Sequence, residues 1–270
     1  MSETSAVEAP GRDFSIGSVE ADGFKVRYWE AGEGDAVVWI HGAGGPQFSH
    51  ALDLLTRSHR VIAVELPGFG ESAINDRTAN AAEMAGTVAQ VIEAMGLAPT
   101  HVWGTSMGGV VATHLAVNHP GVVRSLVVEG PGPFRRGGPN PAQLTPEEMV
   151  RAFNLHPERV AHRTPAPPDP ERWALVMRLM GEEHDAALEG ALAGIQAPTL
   201  AFWGVGDGII PPAAGRIYKE HIPQCSYVLV HGAAHDVQGD RPEACAELVG
   251  DFLARGLNFA INDRDGRINP

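Results

Sequence analysis

Two cysteines, no long apolar run and a shortage of cations narrow what this 270-residue chain can be. Cys225 and Cys245 have no cysteine or histidine partner at metal-ligand spacing, so they read as buried thiols of a reducing compartment rather than a disulfide or zinc framework. No apolar stretch approaches membrane-spanning length. Met1-Ser2-Glu3-Thr4-Ser5 has neither a basic region nor an apolar one, which gives the expectation of a soluble, cytoplasmic protein. Twenty Lys and Arg against 33 Asp and Glu leave a formal charge of −13. Nucleic-acid binding needs a basic footprint, so it is excluded as a function class, and an anionic ligand needs a local arginine.

Twelve histidines are present, but they are scattered. The one tight pair, His231 and His235, spans a strand end and a loop, unlike a helical His-Glu-x-x-His zinc site. No metal and no cofactor are expected.

What the chain does have is alternation. Phe24–Trp29, Ala36–Ile40, Arg60–Leu66, Thr100–Trp103, Arg124–Val128, Thr199–Trp203 and Ser226–Val230 read as strands. Helical periodicity lies between them, as in Thr78–Met95, and near the end Asp240 is a candidate cap with Glu243 three residues on. Such alternation predicts an α/β class, with a mostly parallel sheet carrying helices on both faces. Residues 132–196 break the pattern. Gly137-Gly138-Pro139-Asn140-Pro141 and Thr164-Pro165-Ala166-Pro167-Pro168 punctuate loops, Thr145-Pro146-Glu147-Glu148 is a capping box, and Asp169-Pro170 opens a helix with Trp173, Val176, Met177 and Met180 on one face. The expected organisation is a core of residues 1–131 and 197–270 with a helical cap at 132–196. Asn258–Pro270 is a frayed tail or a contact, and a homo-oligomer is left open.

Gly104-Thr105-Ser106-Met107-Gly108-Gly109 sits between a strand and a helix. A serine at such a turn is held in strained backbone with its hydroxyl exposed, beside free N–H groups of the new helix. Serine is a poor nucleophile without a base and a group to orient that base. Asp207 follows one later strand and His235 the next, so both reach the same sheet edge in the order Ser, Asp, His. His231 competes as base and Glu129 as acid, each ranked behind. Met107 N–H and the loop His41-Gly42-Ala43-Gly44-Gly45 are the expected oxyanion donors, Ala43 ahead of Gly44.

His41-Gly42-Ala43-Gly44-Gly45, Leu66-Pro67-Gly68-Phe69-Gly70-Glu71-Ser72, the Ser106 turn, Gly206-Asp207-Gly208-Ile209-Ile210-Pro211 and Gly232-Ala233-Ala234-His235 together resemble the α/β-hydrolase family over residues 24–256. Glu65 stands where many relatives have aspartate. The resemblance implies an eight-stranded sheet, an inserted helical cap over the site, and a Ser106–His235–Asp207 triad. The chain is also similar to the meta-cleavage-product hydrolases, with Thr105 and Asp236 where that group has asparagine and tryptophan. That likeness implies a cap arginine for a substrate carboxylate, and Arg178 is the candidate. Trp173, Met177 and Met180 are expected to line the pocket. The expected activity is hydrolysis of a small ester or related carbonyl substrate by water through an acyl-enzyme. Carbon–carbon bond hydrolysis of a vinylogous diketone acid is the alternative, and a non-catalytic ligand receptor a further one.

Overall fold

The computed structural model describes residues 9–138, 143–163 and 169–260. The Pro139-Asn140-Pro141 and Thr164–Pro168 punctuation and the tail beyond residue 260 lie outside the described residues.

Eight strands form one sheet: β1 (Ser15–Ala21), β2 (Phe24–Ala31), β3 (Ala36–Ile40), β4 (Arg60–Val64), β5 (Thr100–Thr105), β6 (Val123–Glu129), β7 (Thr199–Gly204) and β8 (Cys225–Val230). Their order is β1-β2-β4-β3-β5-β6-β7-β8. β1 and β2 pair antiparallel, as do β2 and β4, and every other pairing is parallel. Seven strands carry the expected apolar signal and β1 does not. It is an edge strand with Ile16 turned to solvent, so its side chains lack the buried alternation that marks the others.

The helices are α1 (His50–Leu55), α2 (Ala81–Ala94), α3 (Met107–Asn118), α4 (Pro146–Phe153), α5 (Pro170–Met180), α6 (Ala186–Ala191), α7 (Gly215–His221), α8 (Val237–Asp240) and α9 (Pro242–Arg255). Period-two alternation sends successive strand residues into two cores. Val38, Ile40, Val64, Val102, Leu126 and Trp203 pack with α2, α3 and α7 on one face. Val37, Trp39, Val127, Leu200 and Phe202 pack with α1 and α9 on the other. The chain moves from β3 to β4 on one side, then returns to place β5 on the other. That reversal leaves a crevice beyond the carboxyl ends of β3 and β5, the usual place for a ligand in such sheets.

Two local expectations change. Asp240 does not cap α9, whose N-terminal residue Arg241 makes no side-chain cap; Asp240 is buried and accepts other N–H groups, described below. On α5 the buried residues are Leu175, Val176 and Leu179, whereas Trp173 is 61% and Met177 50% exposed. The face that packs inward is therefore turned from the one expected, because larger apolar residues on both sides of this helix leave its phase ambiguous.

Phe252 of α9 is buried in the core cluster that also holds Leu52 and Leu55 of α1, so Phe252→Ala is expected to cost about 3–5 kcal/mol in chemical denaturation. Ile16→Ala, on the exposed edge, is expected to change stability by less than about 0.5 kcal/mol.

Candidate active site

Ser106 has φ 53° and ψ −116°, a backbone region that side chains rarely adopt. The turn is locked from both sides: Ser106 N–H donates to the Glu129 carbonyl at 2.7 Å, and the Ser106 carbonyl accepts from Gly109 N–H at 2.9 Å. Glycine is required around it for space. A Cβ on Gly104 would collide with the Gly108 carbonyl and Ala112, and one on Gly108 with the Ile40 and His41 carbonyls. The end of β5, the start of α3 and the end of β3 thus touch backbone to backbone.

The structure brings Ser106, His235 and Asp207 into one hydrogen-bonded chain. His235 Nε2 is 2.9 Å from Ser106 Oγ, and His235 Nδ1 is 2.8 Å from Asp207 Oδ2. Because the carboxylate only accepts, Nδ1 carries the proton and Nε2 is the acceptor for the serine hydroxyl. Asp207 Oδ1 in turn accepts the N–H groups of Ile209 and Ile210, both at 2.9 Å, which fixes the carboxylate plane. His231 is exposed, with its carbonyl tied to Arg241 Nη1. Burial pulls the His235 pKa down. The charge and hydrogen bond of Asp207, with Glu129 and Asp236 further off, outweigh it, and the net shift is upward.

Of the expected oxyanion donors, Met107 opens α3, where first-turn N–H groups have no intrahelical acceptor. Ala43 and Gly44 lie in a turn closed by Gly45 N–H on the Gly42 carbonyl at 3.1 Å, and Gly42 packs directly against Ser106. His41 beneath them is buried and its pKa falls to about 4, by desolvation first. As a neutral ring it donates from Nδ1 to the Gly42 carbonyl at 2.7 Å and accepts Leu66 N–H at Nε2 at 3.1 Å, pinning the turn.

The end of α4 and the segment after it strap across the Asp207 and His235 loops. The Ala152 carbonyl accepts Gly208 N–H at 3.2 Å and the Phe153 carbonyl accepts Asp236 N–H at 2.9 Å. Buried Asp240 accepts the N–H groups of Leu155, His156 and Ala234 at 2.8–2.9 Å. Asp236 receives Asn154 Nδ2 at 3.0 Å and pairs with Arg163. The Phe153 ring stands edge-on to the His235 imidazole at 5.3 Å. None of these strap contacts was legible, because polar residues in a Pro-interrupted stretch give no periodic signal.

Arg178 is not turned into the crevice. Its Nε and Nη2 donate to the Thr78 and Asn75 carbonyls at 2.9 and 2.7 Å, fastening α5 to the loop before α2. Arg172 shares the inner face of α5 with Leu175, Val176 and Leu179. Its Nη2 reaches Asp169 Oδ2 at 3.7 Å, whereas its Nε is buried without a hydrogen-bond partner, and its charge is near enough to depress His41 under the Gly42 turn. The signal that could have found it is the helical spacing 172, 175, 176, 179. Among the described residues no three His, Cys, Asp or Glu side chains gather as a metal-holding group, and no helix is long and apolar enough to cross a membrane.

A family model described as the alpha/beta hydrolase fold matches residues 35–162. Over 118 residues the chain is 40% identical to the dihydrolipoyllysine-residue acetyltransferase component of the acetoin cleaving system of Cupriavidus necator, covering 43% of this chain and 32% of that protein. It is 29% identical to a pimeloyl-[acyl-carrier protein] methyl ester esterase of Yersinia enterocolitica (84% of this chain, 97% of that one). It is also 29% identical to a 2-hydroxy-6-oxononadienedioate/2-hydroxy-6-oxononatrienedioate hydrolase of Pseudomonas putida (85% and 91%). Among solved structures, a thermophilic esterase from Thermogutta terrifontis superposes with a TM-score of 0.73 at 22% identity, over 89% of this chain and 98% of that one, a likeness of fold.

The geometry generates a titration prediction. The His235 imidazole, followed by NMR, is expected to titrate above the ordinary histidine value of 6.5, and Asp207→Asn is expected to lower that midpoint. A midpoint at or below 6.5 in the unaltered protein would show that burial outweighs the Asp207 charge, and an Asp207→Asn variant with an unmoved midpoint would contradict the assigned pairing.

Proposed function

We propose that the chain, which carries the alpha/beta hydrolase fold, is a serine hydrolase of small ester or related carbonyl substrates, working through a Ser106–His235–Asp207 triad. The single observation that carries this reading is the unbroken 2.9 and 2.8 Å chain from the Ser106 hydroxyl through the imidazole to Asp207.

In this mechanism His235 Nε2 takes the Ser106 proton as Oγ attacks the substrate carbonyl. The tetrahedral oxyanion forms beside α3, where Met107 N–H and Ala43 N–H, with Gly44 next, receive it. Each such donor is worth roughly 3–4 kcal/mol in the transition state. The imidazolium, held by Asp207, passes its proton to the leaving group, and an acyl-enzyme remains. Water, deprotonated by the same nitrogen, releases the acid. No cofactor enters. Residues 132–196 serve as a cap: the α4 strap closes over the histidine side, and α5 supplies the wall facing the oxyanion turn.

A second reading, carbon–carbon bond hydrolysis of a diketone acid, is favoured by Arg172. A buried guanidinium N–H without a partner costs about 1–3 kcal/mol, and a substrate carboxylate satisfies it. In a chain this acidic, a local arginine is also what recruits an anion. Arg172 therefore takes the place expected for Arg178.

Ser106→Ala is expected to abolish turnover of aryl esters and all labelling by a fluorophosphonate while leaving the circular dichroism spectrum unchanged. Near-wild-type rates in that variant overturn the nucleophile. Offered side by side with a neutral aryl ester, a carboxylate-bearing ester or vinylogous diketone acid is expected to lose at least about tenfold in kcat/KM upon Arg172→Ala, the neutral ester little. Equal losses on both substrates remove Arg172 from carboxylate recognition.

A further inference from the structure

Glu129 ends β6 beneath the nucleophile turn and is fully buried. It does not orient His235, a place taken by Asp207. Its carboxylate is nevertheless fully engaged. Oε2 accepts Thr105 Oγ1 at 3.0 Å and Gln238 Nε2 at 2.8 Å, and Oε1 accepts Gln238 N–H at 3.1 Å.

The donors can be ordered by elimination. Trp39 Nε1 and Gln238 Nε2 both donate to Thr105 Oγ1, at 3.1 and 3.0 Å, so the one threonine hydroxyl proton is left for Glu129. Gln238 is itself fixed by Ser49 Oγ on its Oε1 at 2.8 Å. Three donors thus converge on the two carboxyl oxygens, an environment that favours the ionised form over the neutral acid. Thr105 precedes the nucleophile, Gln238 lies three residues past His235, and the Glu129 carbonyl itself holds Ser106 N–H.

We propose that Glu129 is a positioning residue of this site, a second buried carboxylate acting through His235: it ties the serine turn to the histidine loop and holds negative charge within reach of the imidazolium formed in turnover. The inference rests on the serine-hydrolase reading above. The charged and titratable groups around it are His235 and Asp236 from the loop after β8, Cys245 from α9, and Asp207 beyond the imidazole; Arg163 is spent on Asp236. Burial, with Asp236 adding, lifts the Glu129 pKa to about 7 against the pull of its hydrogen bonds, so its charge is gained near neutrality. Glu129 in turn raises His235.

The experiment is the second-order rate of fluorophosphonate labelling of Ser106 as a function of pH, which needs no substrate. The rate rises as His235 loses its proton. In the unaltered enzyme the limb is expected to be broad, since two coupled groups titrate together. In Glu129→Gln it is expected to narrow to one step with its midpoint lower by roughly half a unit or more, because imidazolium has lost a favourable charge. Thr105→Val, which withdraws one donor from the carboxylate, is expected to move the midpoint the same way by less, and it carries the test should Glu129→Gln fail to fold. An unmoved midpoint in the folded variant, whatever its rate or melting temperature, overturns the proposal and leaves Glu129 a structural residue. Absence of labelling in the unaltered enzyme overturns the serine reading itself, and this inference with it.

Discussion

The positive φ of Ser106 is the constraint on which the remainder of the site depends. A serine in relaxed backbone would continue β5 or begin α3 and would bury its hydroxyl among the strand ends. Holding it at 53° costs of order 1–3 kcal/mol, and that strain persists only where neighbours over-determine it. They do so by close approach. Gly104, Gly108 and Gly42 bring three backbones together at the carboxyl ends of β5 and β3, and the Glu129 carbonyl anchors the serine N–H. The same compression places the first turn of α3 beside the Gly42–Gly45 turn, so one packing event fixes the half-buried Ser106 and both turns together.

Electrostatics then separates two histidines that sequence treats alike. His41 and His235 are both buried next to the reacting region, yet one is pushed down and the other up. His41 has only backbone partners, so desolvation decides and the ring stays neutral, a rigid strut. His235 has Asp207 in contact and two further carboxylates at a distance, so charge decides and the ring can accept a proton. Glu129 shows what this arrangement costs. A carboxyl whose folded pKa lies above its unfolded value adds stability below the unfolded value and loses it as pH rises through the folded one, here between 4.5 and about 7. The fold therefore gives up stability as this carboxyl ionises towards neutral pH, and in the role proposed above the beneficiary of that charge is the imidazolium.

Much of this was legible in the sequence because it rests on period and order. Buried strands betray themselves by continuous apolar runs, and Ser106, Asp207 and His235 each follow one, so their convergence is a consequence of parallel topology. What was illegible rests on phase and on long-range polar contacts. The choice between Arg172 and Arg178 turns on which stripe of α5 faces inward, and Trp173 and Met177 on the outer stripe are as apolar as Leu175 and Val176 on the inner one. Asp240 has the local signature of a helix cap, yet its carboxylate is drawn to three N–H groups, two of them more than 80 residues away in the chain. β1 escaped notice because an edge strand needs no buried face.

The segment between β6 and β7 is bound to the rest of the fold by two unlike devices. On the histidine side the strap sets donors against two carboxylates: buried Asp240 gathers the N–H groups of Leu155, His156 and Ala234, and half-buried Asp236 takes the side chains of Asn154 and Arg163. Breaking it would leave two carboxylates without their donors in low dielectric, so it opens only at high cost. That rigidity suits a loop whose imidazole lies 2.9 Å from the Ser106 hydroxyl. On the other side α5 is held by Arg178 on two carbonyls and by Leu175 and Leu179 in the core, while Arg172 keeps a donor unspent. Polar anchoring on one flank, and on the other a guanidinium paired with Asp169 through Nη2 but with its Nε–H unspent, fit the proposed reading in which the sheet edge sets the reaction and α5 meets the substrate.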